Sequence, residues 1–331
     1  MKLALVIGSG NIAKRHIRNL RYLYPNAEVV CCSTSGRQLK PSDVGATNIA
    51  CSVQEVILRK PDVAIVASSA NLHLSHAKPL VAAGVPVLIE KPICVELNEL
   101  YQFRLHEIKN KVVVGYNMRF MPAAKAVKQI IDTGTLGRIT TVFVEVGQYL
   151  PDWRPESDYR IGVSAKKKLG GGALLELSHE LDYLNWLFGN FDEVFAKMSR
   201  SNLLEIDVED TVDALITRQD SSVFYVHLDF LQRYPSRSFK AVGAQGTLTW
   251  NVLNNEVVLY GPNALSEIIY SDSNYNRNDM YIEQLRAFLA FASGDGEFDS
   301  TIGTSIEVMR LVEAIRLSNQ QKSWVNLKTV R

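Results

Sequence analysis

In the first part of the chain, up to about residue 116, short apolar runs alternate with longer segments in which apolar residues recur at helical spacing. Continuous apolar runs are typical of strands buried in a parallel sheet, and the segments between them are typical of crossover helices. The predicted strands are LALVIG (3–8), EVVCCS (28–33), VAIVAS (63–68), PVLIE (86–90) and VVVGY (112–116), and helices are predicted near 11–23, 52–59, 73–83 and 96–108. This pattern predicts a doubly wound parallel sheet in an N-terminal α/β domain, residues 1–116.

After about residue 117 the rhythm changes, and apolar and polar residues alternate at every second position. Period two predicts strands with one buried face, and strands this close together in the chain must pair mostly antiparallel. The predicted strands are 140–149, 211–218, 222–231, 238–243, 247–251 and 256–260, and helices are predicted at 120–132, 174–188, 278–293 and 301–319. Residues 117–331 are therefore predicted to form an α+β domain with a large, open, mostly antiparallel sheet.

Composition narrows the possible partners. The 36 Lys and Arg residues nearly balance the 35 Asp and Glu residues, so the net charge is +1 and no overall field attracts a polyanion. Binding to nucleic acid or to an acidic membrane surface is not expected. Lys166 to Lys168 form the one local basic run, which is either a solvated loop or a phosphate contact.

The cysteines and the apolar segments indicate the cellular compartment in which the protein is expected. Cys31, Cys32, Cys51 and Cys94 show neither a CxxC pair nor a zinc-binding spacing, so buried thiols in a reducing compartment and no metal site are expected. The first apolar stretch is about five residues long, and no later segment approaches the ~20 apolar residues of a membrane span. A cytoplasmic location is the resulting expectation.

A glycine-rich turn follows the first predicted strand and opens the first predicted helix. Gly8 permits a tight turn, Gly10 lets a pyrophosphate approach the main chain, and Ala13 lets the helix pack closely on the strand. In this context the GxGxxA pattern, which includes Asn11 and Ile12, predicts a Rossmann dinucleotide site. The alternative is a turn with only a structural role.

The end of the second predicted strand bears on which dinucleotide binds. NAD-selective sites carry an acid there that binds the ribose 2′-hydroxyl, whereas this chain has Ser33, Thr34, Ser35 and Arg37. Hydroxyl groups and a guanidinium suit a 2′-phosphate, so NADP is favoured over NAD. The nearest acid, Glu28, lies at the start of the strand.

Further polar motifs stand where the later parallel strands end, at the edge where such sheets bind ligands. They are Ser68-Ser69-Ala70-Asn71-Leu72-His73, Glu90-Lys91-Pro92, Gly115-Tyr116-Asn117-Met118-Arg119-Phe120 and, later, Gly170 to Asp182 with the sequence GGGALLELSHELD. The ordered set resembles the Gfo/Idh/MocA oxidoreductase family, over residues 1 to about 320. This resemblance implies a nicotinamide-dependent oxidoreductase acting on sugars, cyclitols or related substrates.

The resemblance also implies that Lys91 and His179 are the catalytic groups. Oxidation of a secondary alcohol needs a base on the hydroxyl proton while hydride leaves carbon, and histidine suits that task. We assign His179 as general acid/base and Lys91 as proton relay and orienting group; the opposite division stays open. Many family members carry an acid four residues before the histidine, but here Glu176 lies three before it, so its orienting role is in doubt, and Asp182 is a second candidate partner.

The remaining site predictions fall into two groups. Residues predicted to bind cofactor are Gly8, Gly10, Asn11, Ile12, Ala13, Ser33, Thr34, Ser35, Arg37, Ser68, Ser69, Asn71, His73, Glu90, Lys91 and Asn117. Residues predicted to bind substrate are Lys91, Arg119, Trp153, Arg160, His179 and Asp182. For Asn117 and Arg119, an ion pair between domains or a purely structural role is the alternative.

The segment 148–160 is too polar for a core and too aromatic for a linker, so it is predicted to be a substrate loop. Its arginines, with the nearby lysine run, raise the possibility of a nucleotide-activated sugar. A subunit contact is the alternative for this segment, and a homodimer or homotetramer through the open sheet is expected. The main rival function is a regulatory protein of this family that binds dinucleotide without turnover.

Overall fold

The N-terminal apolar runs form one parallel sheet in the computed structural model, which describes residues 1–33, 38–103 and 112–330. Its six strands in this described part are β1 (Leu3–Ile7), β2 (Glu28–Cys32), β3 (Asn48–Ala50), β4 (Val63–Val66), β5 (Val87–Ile89) and β6 (Val112–Val114). They lie in the order β3-β2-β1-β4-β5-β6. The order reverses between β1 and β4, and at such a reversal the loops at the carboxyl edge diverge to leave a crevice.

Helices connect these strands: α1 (Asn11–Leu23), α2 (Pro41–Val44), α3 (Val53–Leu58), α4 (His73–Ala82) and α5 (Leu97–Gln102). Helix α1 buries Ala13, His16, Ile17 and Leu20, which recur at the i, i+3, i+4 and i+7 spacing of one helix face. Among the described strands of this first sheet and the helices that connect them, β3 and α2 were not predicted, because each has too few residues for a periodic signal. The last part of the helix predicted at 96–108 lies outside the described residues.

The second sheet contains nine strands within the described ranges. They are β7 (Ile139–Gly147), β8 (Glu193–Ser199), β9 (Thr211–Thr217), β10 (Val223–Asp229), β11 (Ser236–Gly243), β12 (Thr247–Asn251), β13 (Glu256–Tyr260), β14 (Ser266–Ser271) and β15 (Val325–Asn326). Their order is β14-β13-β12-β11-β7-β10-β9-β8-β15. The central pair of β7 and β10 is parallel, and the other described pairings are antiparallel, which confirms the predicted mostly antiparallel sheet.

Only one face of this second sheet is covered by core residues. Along β10, Phe224, Val226 and Leu228 are buried, whereas Tyr225 on the opposite face is 46% exposed. Its neighbour Phe143 on β7 is 39% exposed, and the two rings stack with centroids 5.0 Å apart. The open face therefore presents aromatic side chains to solvent.

The remaining helices are α6 (Pro122–Asp132), α7 (Ala173–Glu176), α8 (His179–Leu187), α9 (Asp279–Ser293) and α10 (Ile302–Gln321). The single helix predicted at 174–188 is therefore wrong. Leu177 has φ −98° and ψ 22°, outside the helical region, so the hydrogen-bond ladder is interrupted between α7 and α8. None of the helices in the described ranges is both long and apolar enough to cross a membrane.

Contacts divide the chain into two compact units: residues 1–117 with 278–306, and residues 118–277 with 307–331. In the first unit, α9 packs on α1, and Asn19 and Asn278 exchange side-chain hydrogen bonds of 3.2 and 2.9 Å. Thr301 forms an isolated antiparallel bridge with Val113 beside the first sheet. The domain boundary at residue 116 stays a prediction.

Candidate active site

The glycine-rich turn connects β1 to α1 at the carboxyl edge of the first sheet. Gly8 has φ +119°, and a Cβ there would lie 2.4 Å from the Ala67 carbonyl oxygen, so no other residue fits. A Cβ on Gly10 would meet nothing within 4 Å among the described residues. Ala13 is fully buried, as close packing of helix on strand requires. The turn therefore leaves open space in front of the helix.

The N-terminus of α1 is suited to an anion. Gly10 is the N-cap, and in the described part of the chain no side chain caps the first backbone N–H groups of the helix. These N–H groups and the positive end of the helix dipole favour a phosphate at this position. Asn11 is exposed and Ile12 half-buried at the same end. A pyrophosphate thus fits the residues present.

The end of β2 shows only part of the predicted selectivity segment. Ser33 is half-buried directly after the strand, whereas Thr34, Ser35 and Arg37 lie outside the described residues. Glu28 forms an ion pair with Arg59 at the other end of β2, which is consistent with a carboxylate remote from the cofactor ribose. Preference for NADP is therefore untested by the structure.

The segment after β4 separates into exposed and buried polar groups. Asn71 is exposed, Ser69 is half-buried, and the Ser68 hydroxyl lies 2.9 Å from His76 Nδ1. His73, in contrast, is buried, with Nδ1 2.8 Å from the Pro92 carbonyl oxygen and Nε2 3.0 Å from the Ser68 carbonyl oxygen. Burial lowers the pKa of His73. His73 therefore lies against the main chain that follows two strands, and its predicted cofactor contact stays a prediction.

Glu90 and Lys91 follow β5 at the same sheet edge, but their side chains differ in environment. Glu90 is 6% exposed, with Oε1 2.6 Å from His16 Nε2, and its Oε2 accepts a 3.2 Å hydrogen bond from the Lys91 backbone N–H. Lys91 is half-buried. Glu90 is thus engaged within the unit, and its predicted cofactor contact is not supported by this placement. His16 was not among the predicted site residues, because a buried histidine in an amphipathic helix carries no sequence signal of its partner.

Asn117, at the end of the first unit, is also buried. Its side chain hydrogen-bonds the hydroxyl of Tyr281, whose pKa is raised by burial and then by the charge of Glu90. Tyr281 was likewise missed by sequence reasoning, because it lies 164 residues after Asn117 in the numbering.

Arg119 and Asp182 form a buried ion pair within the second unit. The Arg119 Nε donates to Asp182 Oδ2 at 2.9 Å, its NH2 group lies 2.6 Å from Oδ1, and both side chains are at most 2% exposed. Burial raises the pKa of Asp182, an effect that Arg119 opposes. Both were predicted to bind substrate; their charged groups bind each other in this structure, and their substrate contacts stay predictions.

The triple glycine leads directly into the helices that carry Glu176 and His179. Gly172 has φ +108°, and a Cβ there would lie 2.3 Å from Glu209 Oε1. That same oxygen accepts a 3.0 Å hydrogen bond from the Leu174 backbone N–H, and burial raises the pKa of Glu209. Glu209 therefore fixes the start of α7, a role that no sequence pattern indicated.

His179 begins α8 and is half-buried, whereas Glu176 ends α7. The two residues therefore lie on different helices, because the helix predicted at 174–188 is broken between them. The Ser164 hydroxyl donates a 3.1 Å hydrogen bond to Glu176 Oε2. Within 148–160, the Trp153 indole N–H donates to the Gln148 carbonyl at 3.2 Å, and Arg160 pairs with Asp158 at 2.8 Å. Their predicted substrate contacts stay predictions.

Comparison with known proteins was made on sequence and on fold. Residues 2–118 match the oxidoreductase family with an NAD-binding Rossmann fold, and residues 124–249 match the GFO/IDH/MocA C-terminal domain. An uncharacterised oxidoreductase from Synechocystis sp. is 33% identical over 59% of this chain and 53% of its own length. A myo-inositol dehydrogenase from Streptomyces leeuwenhoekii is 26% identical over 90% of each chain.

The structure of a levoglucosan dehydrogenase in complex with NADH and L-sorbose is similar in fold, with a TM-score of 0.85, 21% identity and 98% of each chain covered. The chain spans about half the length of the Synechocystis relative and nearly the whole length of the Streptomyces one. Both family matches fall on the units that carry the glycine-rich turn and the GGGALLELSHELD segment. The chain belongs to the Gfo/Idh/MocA family of oxidoreductases.

Proposed function

We propose that this protein transfers hydride between NAD(P) and a secondary hydroxyl or carbonyl group of a sugar, cyclitol or nucleotide sugar. The observation that carries the proposal is the uncapped N-terminus of α1 behind Gly8 and Gly10, at the sheet edge where Lys91 also lies. A dinucleotide pyrophosphate is the anion that this arrangement suits. The bound nicotinamide would supply the hydride acceptor or donor.

The chain's own residues would then handle the proton. His179 acts as general acid/base on the substrate oxygen, and Lys91 relays the proton or donates a hydrogen bond to the developing alkoxide. The names of the relatives, an inositol dehydrogenase and a levoglucosan dehydrogenase, support a polyhydroxylated substrate. The cytoplasm is the expected compartment.

A panel of sugars, cyclitols and nucleotide sugars tests the proposal, with the nicotinamide absorbance followed for NADH and NADPH. Lys91→Met should lower kcat at least ~100-fold, because a positioned proton-transfer group contributes that much. Its dissociation constant for NADPH should stay within about threefold, since the phosphate contacts remain. Turnover equal to wild type would remove Lys91 from the mechanism, and binding of cofactor without any turnover by wild type would favour the regulatory alternative.

We propose NADP as the preferred cofactor, on the basis of the Ser33-Thr34-Ser35-Gly36-Arg37 sequence. Arg37→Ala should weaken NADPH binding by about tenfold or more, since a charge-assisted hydrogen bond contributes roughly 1.5–3 kcal/mol, and should leave NADH binding nearly unchanged. Titration of protein fluorescence with each cofactor measures both constants. An unchanged NADPH/NADH ratio in Arg37→Ala would contradict this preference.

A homodimer through the open face of the second sheet is the assembly that we propose. Phe143, Tyr225 and Tyr260 line a depression of about 810 Å³ on this face, together with charged residues of both signs such as Lys240 and Asp213. Exposed aromatic patches of this kind mark contact surfaces, and a two-fold axis lets one patch cover its copy.

A further inference from the structure

A buried histidine of α1 holds the carboxylate that precedes Lys91. His16 is fully buried, and its Nε2 lies 2.6 Å from Glu90 Oε1, while Glu90 itself is 6% exposed. Hydrogen bonds to an ionised carboxylate are about twice as strong as neutral ones, and a buried carboxylate without such a partner is costly. His16 therefore fixes the position of the Glu90 side chain.

The second oxygen of the same carboxylate connects this contact to Lys91. Glu90 Oε2 accepts a 3.2 Å hydrogen bond from the Lys91 backbone N–H. Gly115 confines the carboxylate from another side, because a Cβ there would lie 3.1 Å from Glu90 Cδ and Oε2. The main chain at Lys91 is thus joined through Glu90 to helix α1, the helix whose N-terminus suits the pyrophosphate.

His16 is in turn held from the side of α9. The Tyr281 ring packs edge-on against the imidazole, with centroids 6.2 Å apart and planes at 74°. The guanidinium of Arg15 lies 4.4 Å from the centroid of the Tyr281 ring. The imidazole therefore has little freedom to leave the Glu90 carboxylate.

We propose that His16 is a positioning residue, which sets the backbone orientation of Lys91 through Glu90. The proposal rests on the proposed function, because the proton-transfer role of Lys91 is part of it. Proton transfer depends on placing the ammonium within hydrogen-bond distance of the substrate oxygen, and a displacement of about 1 Å can cost ~100-fold in rate. His16 would act on kcat without touching cofactor or substrate.

Two polar substitutions separate positioning from packing. The amide nitrogen of Gln can take the place of His Nε2, whereas the shorter Asn side chain does not reach Glu90. His16→Asn should lower kcat about tenfold or more, and His16→Gln should stay within about threefold of wild type. KM and the NADPH dissociation constant should change less than about threefold in both variants, because the binding groups remain in place.

Asn19→Ala is the matched control, because Asn19 is another buried polar residue of α1 with a partner on α9, Asn278. It should lower thermal stability and leave kcat unchanged. Equal kcat losses in His16→Asn and His16→Gln, or the same loss in Asn19→Ala, would overturn the proposal.

A readout independent of turnover keeps the two proposals distinguishable. Amide hydrogen exchange at Lys91, followed by NMR on the full-length protein, should become about tenfold faster in His16→Asn, because the acceptor Glu90 is released, and not in His16→Gln or Asn19→Ala. If wild type turns over no substrate, the proposed function fails, but this exchange rate still decides whether His16 positions the Lys91 backbone. Unchanged exchange in His16→Asn counts against it.

Discussion

Two carboxylates on helix α8 are buried with arginine partners from elsewhere in the second unit. Asp182 pairs with Arg119, and Glu180 accepts hydrogen bonds of 2.7 and 3.1 Å from Arg237. A buried charge that loses its partner costs roughly 3–5 kcal/mol, so these pairs fix how α8 packs. The polar residues beside His179 therefore serve the placement of the helix, and their residue type alone does not reveal this.

His227, on the open face of the second sheet, makes the stability of the folded protein depend on pH. His227 Nε2 lies 3.0 Å from Asp229 Oδ2 and its Nδ1 lies 2.7 Å from Asp213 Oδ1. The hydrogen bond that His227 donates to Asp229, followed by the one that it donates to Asp213, raises the pKa of His227 from 6.5 to about 9, although partial burial opposes the rise. The imidazolium is thus stabilised in the folded protein.

Because the folded pKa lies above the unfolded one, this contribution is fully present below about pH 6.5 and is lost as pH rises through about 9. We expect the free energy of unfolding to fall by about 1 kcal/mol over that range, after allowance for solvent screening of a half-exposed group. Urea unfolding of wild type and His227→Gln at pH 6, 7.5 and 9.5 measures it. A parallel pH dependence in the variant would show that other groups are responsible.

At the scale of elements, a substitution at the start of helix α1 can separate an effect on folding from an effect on cofactor binding. Gly10 has φ −74°, which any residue adopts, and a Cβ there meets no described atom within 4 Å. Gly10→Ala should therefore leave the melting temperature nearly unchanged. The added methyl group would occupy the space in front of the helix N-terminus, where the pyrophosphate is expected.

We expect Gly10→Ala to weaken NADH and NADPH binding alike, by about tenfold or more, because the main chain can no longer be approached closely. Isothermal titration of the variant against wild type measures this. Gly45→Ala is the control for stability, because Gly45 ends α2 with φ +78°. This variant should be less stable than wild type but should bind NADH and NADPH with unchanged affinity. Unweakened binding by Gly10→Ala would argue against a pyrophosphate at this turn.

Sequence periodicity predicted most long elements, because β4, β10 and α10 carry strong period-two or helical patterns or continuous apolar runs. Periodicity did not predict elements whose apolar pattern is short, or element boundaries that depend on tertiary packing. The strand β8 alternates buried and exposed residues but contains Glu193, Lys197 and Ser199 and was not predicted. The start of α7 depends on the contact between Gly172 and Glu209, which joins residues far apart in the chain.

In the candidate site, as in the fold, sequence predicted the features that local backbone geometry determines and missed those that depend on tertiary contacts. The glycine-rich turn was predicted because Gly8 and Gly10 act through local backbone geometry, which sequence specifies directly. Partners such as Glu90 with His16 depend on tertiary contacts between residues 74 positions apart, so no local pattern reports them. For the same reason the sequence did not indicate that both ring nitrogens of His73 lie within 3.0 Å of main-chain carbonyl oxygens.

At the scale of the whole molecule, the open face of the second sheet predicts association. Tyr225 stacks on Phe143, and the Lys240 ammonium lies 4.4 Å from the centroid of the Phe143 ring. Tyr225→Arg would add a cation beside Lys240 in this patch and in its two-fold copy, where like charges repel. We expect this variant to be a folded monomer at micromolar concentration.

Sedimentation equilibrium of wild type and Tyr225→Arg measures the assembly, with circular dichroism to confirm folding. Leu58→Arg is the control, because Leu58 is 83% exposed and belongs to the first unit, whereas the open sheet belongs to the second. It should leave the oligomeric state unchanged. A wild-type protein that sediments as a monomer would refute the proposed homodimer.

The first unit is not continuous in the chain, because its core is completed by residues 278–306. Helix α9, with Leu285 and Phe288 fully buried, packs on α1 only after strands β7 to β14 of the second sheet have been synthesised. At translation rates of ~5–20 residues per second, the first unit cannot complete its core until residues 278–306 have left the ribosome. During that interval the part of α1 that α9 covers stays exposed, which makes the unfinished segment a natural client for chaperones.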